Sequence, residues 1–174
     1  MAEYCIGTAQ FGMDYGIANQ SGKPKQDEID RIVEFAVESN IRYFDTAQSY
    51  GESETILGKA VSKLPDVHNI RMISKLAPDL QESSSAIIIE SVKSSLEKLN
   101  VGSLYGFLGH RVEAINSDSF ITAIEILKKD RLVIKTGVSV YTPEDALDAM
   151  KNPLVEILQI PFNILDGRWI DEGI

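Results

Sequence analysis

The sequence is poor in metal-binding and sulfur-bearing residues: one cysteine, Cys5, and two histidines, His68 and His110, in 174 residues. A single thiol closes no internal disulfide, which fits a reducing, cytoplasmic compartment. With so few Cys and His, no metal site is expected. Cys5 itself reads as a small core residue. Long apolar runs are also missing, and Ile87-Ile88-Ile89 is far too short to span a bilayer. Met1 is followed by Ala2-Glu3-Tyr4 rather than by a basic region and an apolar stretch, so no signal peptide is expected. Positive charge is scarce, with 17 Lys and Arg against 26 Asp and Glu and a net charge of −9. Such a chain repels phosphate backbones and anionic membrane surfaces, so neither nucleic acid nor membrane is an expected partner. No linker, low-complexity tract or shift in composition divides residues 1–174, which read as one domain able to bury a sizeable core.

What is present is an alternation of short apolar runs and amphipathic stretches. Strands are predicted at 4–9, 41–45, 70–76, 104–110, within 132–140, and at 155–162. Helices are predicted at 26–39, from Ser53 as N-cap, at 84–99 and at 118–129. Another starts at Thr142-Pro143-Glu144-Asp145, where a cap, a first-turn proline and first-turn acids fall in order. In the first long helix Ile29, Ile32, Val33, Ala36 and Val37 share a face, and Asn40 stands where a helix stops in a left-handed turn.

Strict alternation implies parallel strands covered by helices. Two architectures compete, an open doubly wound sheet and a (β/α)₈ barrel. A nucleotide-binding doubly wound sheet carries a phosphate loop after its first strand. Gly7-Thr8-Ala9-Gln10-Phe11-Gly12 is not G-x-G-x-x-G, and Gly58-Lys59-Ala60 lacks the rest of a P-loop. The balance moves to the TIM-barrel type, with about six strands of a possible eight.

In a barrel, chemistry sits at the C-terminal ends of the strands. Asp45 ends the second strand and Tyr50 follows it. Lys75 ends the third, His110 the fourth and Ser139 the fifth, and Gln159 lies in the sixth. Singly, each has a plainer reading. Asp45 suits an Asx-turn, Tyr50 a packed ring, Lys75 a surface charge, His110 a structural histidine and Gln159 a hydrogen bond inside the barrel. Together they form a proton-transfer set. A lysine beside a tyrosine lowers the phenol's pKa, an aspartate holds the lysine, and a neutral histidine orients a carbonyl while the phenol protonates it.

The segment Tyr43-Phe44-Asp45-Thr46-Ala47-Gln48-Ser49-Tyr50-Gly51-Glu52-Ser53-Glu54, with Leu57-Gly58 after it, resembles the second-strand signature of the aldo-keto reductases. Ser74-Lys75, Leu108-Gly109-His110-Arg111, Gly137-Val138-Ser139 and Leu158-Gln159-Ile160-Pro161-Phe162-Asn163 resemble the family's later strands in order, and Ile6 to Gly12 fits its first. The resemblance implies a barrel, NADPH as hydride donor and a small-molecule carbonyl substrate. It makes Asp45, Tyr50, Lys75 and His110 the catalytic tetrad, with Tyr50 the proton donor. Ser139 and Gln159 would hold the nicotinamide carboxamide, and Gly7, Thr8 and Asp45 would border the ring. Val140 departs from the pattern, since many members carry asparagine there.

Family members continue through a seventh and an eighth strand, which carry the ring-stacking aromatic and most groups that grip the rest of the cofactor. The chain therefore reads as an incomplete barrel. It is expected to self-associate through open sheet edges and to bind NADPH weakly. Two alternatives remain: a non-catalytic binding or regulatory subunit on the same barrel, and a Schiff-base enzyme using Lys75. A lysine kept charged by Asp45 disfavours the second. His110 is the one histidine placed for chemistry, with His68 expected at the surface.

Overall fold

A computed structural model describes residues 3–65 and 69–174. His68 lies outside the described residues. Six parallel strands form one sheet in the order β1-β2-β3-β4-β5-β6. They are β1 (Cys5–Gly7), β2 (Tyr43–Asp45), β3 (Arg71–Lys75), β4 (Leu104–Gly109), β5 (Val133–Ser139) and β6 (Ile157–Gln159). A doubly wound sheet reverses its winding at a switch point. Here every strand pairs with its neighbour in sequence, so the winding never reverses and the sheet curls as an incomplete barrel.

The helices are α1 (Ala9–Gly12), α2 (Gln26–Glu38), α3 (Ser53–Val61), α4 (Ser85–Leu99), α5 (Asp118–Lys129), α6 (Pro143–Ala149) and α7 (Arg168–Asp171). Short 3₁₀ turns lie at Pro78–Leu80 and Val112–Asn116. Among the described residues, no helix is long and apolar enough to cross a membrane.

The core lies between the sheet and this helical layer. Ile29, Val33 and Ala36 of α2, Leu57, Ala60 and Val61 of α3, Ile88, Val92 and Leu99 of α4, and Phe120, Ala123 and Leu127 of α5 are buried against Phe44, Met72, Leu104, Phe107 and Val138. Phe107 of β4 and Phe120 of α5 stack at 6.2 Å. Successive helices α2 to α5 pack on one another. Gly58 makes the α3–α4 approach possible, because a Cβ there would stand 2.0 Å from the Lys98 carbonyl oxygen.

Most predicted elements are present, with shorter strands. Asn40 is left-handed at φ 62, as its place after α2 requires. Thr142 caps α6 by accepting from the Asp145 amide at 3.2 Å. Three expectations are corrected. Residues 4–9 are not one strand: β1 ends at Gly7, and Ala9 opens α1. Ile32, expected on the inner face of α2, is exposed. Cys5, expected in the core, is exposed on β1, which among the described residues has β2 as its one neighbouring strand.

Candidate active site

The strand ends at one rim carry the predicted site residues. At the centre is Lys75, the last residue of β3, with only 1% of its side chain exposed. Its Nζ donates to both Asp45 carboxylate oxygens at 2.7 Å and to the Thr46 carbonyl oxygen at 2.8 Å. An ammonium has three protons, so all three are used. A buried charge needs this saturation, because an unpaired ammonium without water is costly.

Tyr50 stands on the loop between β2 and α3. Its ring lies under the Lys75 Nζ at 5.0 Å and edge-on to the His110 ring at 6.0 Å and 82°. Ser49 Oγ and His110 Nδ1 are 3.3 Å apart. Asp45, Tyr50, Lys75 and His110 are thus brought together as predicted.

The electrostatics differ from the expectation in one respect. Burial, reinforced by Asp45, pushes the Tyr50 phenol up to about 12, whereas a lowering was expected. The reason is geometric. The lysine's protons all go to Asp45 and Thr46, so its charge is neutralised by the carboxylate and none of its N–H groups reaches the phenol oxygen. Burial pushes Lys75 below its ordinary value, and Asp45 opposes this. Burial, then the Lys75 charge, holds His110 below the ordinary imidazole value.

The His110 imidazole should therefore be neutral at pH 7 and take its proton only below about 6.5. In unfolded chains it would protonate first, so stability should fall as pH drops below that value and stop falling once folded His110 is charged. An NMR pH titration of the ring signals checks this, and a midpoint above the ordinary value would contradict it.

A hydroxyl cluster missed by sequence reasoning supports the rim. Thr8 Oγ1 donates to the Asp45 carbonyl oxygen at 2.9 Å, Thr46 Oγ1 donates to Ser53 Oγ at 3.0 Å, and Ser53 Oγ donates to the Thr8 carbonyl oxygen at 2.8 Å. All three residues are fully buried. Ser53 was expected as the α3 N-cap. It is instead the first helical residue, after Glu52, and its hydroxyl ties the β1 end to the Tyr50 loop. The Ser53 amide holds the Tyr50 carbonyl at 3.0 Å.

Gly12 completes the seat. A Cβ there would stand 1.8 Å from the Tyr50 carbonyl oxygen and 2.4 Å from the Ser53 amide nitrogen. Facing it, Gly51 has φ +56, a left-handed conformation that suits glycine. The two glycines in these segments were visible in the sequence; their contact was not.

Beside Tyr50 opens a cavity of about 440 Å³ lined by Gly7, Thr8, Asp45, Ser139 and Gln159 together with Tyr15, Val140 and Tyr141. Every residue expected to border a nicotinamide lines this one space. A second cleft, of about 380 Å³, lies on the His110 side and shares the wall Ser139-Val140-Tyr141. The Ser139 hydroxyl and Gln159 amide have no hydrogen-bond partner among the described residues, and a Cβ at Gly7 would meet nothing within 4 Å. A hydroxyl and an amide left available beside open backbone match the donors and acceptors of a carboxamide. The cavity fits the nicotinamide end of a dinucleotide. Val140 is buried in the core and offers no polar side chain there.

The fold and the rim define an α/β protein of incomplete-barrel type with a buried Asp45–Lys75 ion pair beside Tyr50 and His110 at the strand ends. A model of the aldo/keto reductase family matches residues 3–173, and the chain belongs to that family. It is similar to the solved structure of a Pseudomonas aeruginosa protein assigned to the aldo-keto reductases, with 24% identity and a TM-score of 0.79, covering 97% of this chain and 66% of that one. It is also similar to the holo form of a Bacillus halodurans aldo-keto reductase, with 24% identity and a TM-score of 0.76, covering 97% and 56%. A Bombyx mori aldo-keto reductase in complex with NADP matches at 20% identity and a TM-score of 0.72, covering 94% and 55%. The chain thus spans 55% to 66% of the length of these structures. No curated protein sequence matches it.

Proposed function

We propose that the chain supplies the proton-transfer half of an NADPH-dependent reduction of an aldehyde or ketone to an alcohol. The observation that carries this reading is the meeting of Tyr50, His110 and the Asp45–Lys75 pair beside a cavity lined by Ser139 and Gln159. Ser139 and Gln159 would hold the nicotinamide carboxamide, with Gly7, Thr8 and Asp45 along the ring. When bound, the nicotinamide supplies the hydride.

The chain's own residues do the rest. Neutral His110 orients the carbonyl by hydrogen bonding. Tyr50, kept protonated by its burial, gives its proton to the carbonyl oxygen as charge builds there. Lys75, its ammonium paired with Asp45, lies over the Tyr50 ring at 5.0 Å and fixes where that ring stands. The lone thiol accords with a reducing cytoplasmic setting.

The test is NADPH oxidation with a panel of aliphatic and aromatic aldehydes, with the alcohol measured alongside. Matched loss of NADPH and gain of alcohol supports the reading. A folded protein that binds NADPH yet consumes none would overturn it in favour of a non-catalytic binding subunit.

A small-molecule carbonyl is the proposed substrate, and a second copy of the chain is the proposed protein partner. Among the described residues β1 and β6 each have one neighbouring strand in the sheet, and unpaired edges invite pairing. Sedimentation velocity should show mass rising with concentration. A monomer at every concentration would count against pairing.

A further inference from the structure

We propose that the substrate is an oxo acid whose single carboxylate is held by Arg111 in the cleft beside His110. This rests on the carbonyl-reducing reading above and narrows it to a substrate class.

Arg111 directly follows His110, and both line the 380 Å³ cleft, which adjoins the nicotinamide cavity at Ser139-Val140-Tyr141. That volume suits a small organic molecule. Arg111 is not on a loose loop. It is the extended N-cap residue, φ −143 and ψ 158, of the turn Val112–Asn116. That turn is pressed onto the end of β4, since a Cβ on Gly109 would stand 2.7 Å from the Ala114 Cβ. Its guanidinium joins none of the ion pairs among the described residues. Arg111 is exposed at the mouth of the cleft, and an unpaired guanidinium beside the carbonyl-orienting histidine presents a planar fork that matches a carboxylate.

The other charges around the cleft limit the ligand. Lys75 is neutralised by Asp45. Asp145 accepts the Thr142 hydroxyl at 2.7 Å within the α6 cap, and Glu113 is exposed at the rim. Both acids line the same cleft and repel a second negative charge. The arrangement favours one carboxylate over a dianionic phosphate. With the carboxylate on Arg111, the carbonyl of an oxo acid would lie at His110, whose ring meets the Tyr50 ring edge-on at 6.0 Å. The Arg111 charge also helps keep His110 neutral, the form that orients a carbonyl.

The experiment compares 4-carboxybenzaldehyde with benzaldehyde, each titrated into the 174-residue chain by NMR, for the parent, R111Q and E113Q. The parent should prefer the carboxylated aldehyde. R111Q should lower that preference by about tenfold or more, the scale of a charge-assisted hydrogen bond, and E113Q should raise it. An unchanged ratio in R111Q, or equal loss of both aldehydes, overturns the proposal. NADPH oxidation with the same two aldehydes separates the two readings. Arg111-dependent binding without turnover upholds the carboxylate site and rejects the reduction. Turnover with no Arg111-dependent preference does the reverse.

Discussion

D45A is expected to destabilise the fold by about 3–5 kcal/mol, the cost of stranding a buried charge. Lys75 is 1% exposed and has Asp45 as its only ionic partner among the described residues. Without the carboxylate, the Thr46 carbonyl is the one acceptor left of those that now hold the ammonium. K75M should cost less, since the Asp45 side chain is 13% exposed and reaches water more readily. The double variant D45A/K75M should recover most of the D45A loss, because it removes both charges and leaves an apolar stem in their place. Urea unfolding of the three variants gives these differences.

A pH dependence separates this cause from simple loss of packing. Asp45 raises the Lys75 value against burial, so removing it lets the value fall further. The unfolded chain then binds more protons than the folded one across a wider range. The D45A deficit should be full below the folded Lys75 value of the variant and shrink as pH rises towards that of the parent, which itself lies below the ordinary lysine value. A deficit below about 1 kcal/mol, or one that ignores pH, would place the Asp45–Lys75 pair outside the forces that hold the site.

The strand–helix order and the rim residues were legible because both depend on local pattern. Apolar spacing set α2, α4 and α5, and ionisable residues closing apolar runs marked Asp45, Lys75 and His110. The misses share one cause, which is contact between residues distant in sequence. Ser53 has the composition of an N-cap, but the β1 end lies over it and takes its hydroxyl. Cys5 has the chemistry of a core residue, but among the described residues β1 has a single neighbouring strand, and Cys5 is exposed on it. The seat of Tyr50 depends on Gly12 touching a backbone 38 residues later, the separation of residues 12 and 50 in the chain. The direction of the Tyr50 shift depended on where the three Lys75 protons point, and residue type alone does not fix that.

Y50F carries the largest expected effect on chemistry. Phenylalanine keeps the ring, with its edge contact to His110 at 6.0 Å and its place under Lys75 at 5.0 Å. Fold and ligand binding should therefore persist, while the proton donor is gone. Reduction should slow by about 10²–10⁴-fold in kcat, the usual worth of general-acid catalysis, with NADPH affinity unchanged. Unchanged turnover would remove Tyr50 from the proton path. An activity-free measurement accompanies it. With Tyr50 pushed up to about 12, its phenolate absorbance, taken as parent minus Y50F, should appear only above the range of ordinary tyrosines near 10. Between those values the folded chain holds a proton the unfolded chain has lost. The parent should thus lose stability there as pH rises, and Y50F should lose less. A Tyr50 that ionises near neutral pH would mean Lys75 acts on the phenol oxygen directly. The three hydrogen bonds it makes to Asp45 and Thr46 argue against that.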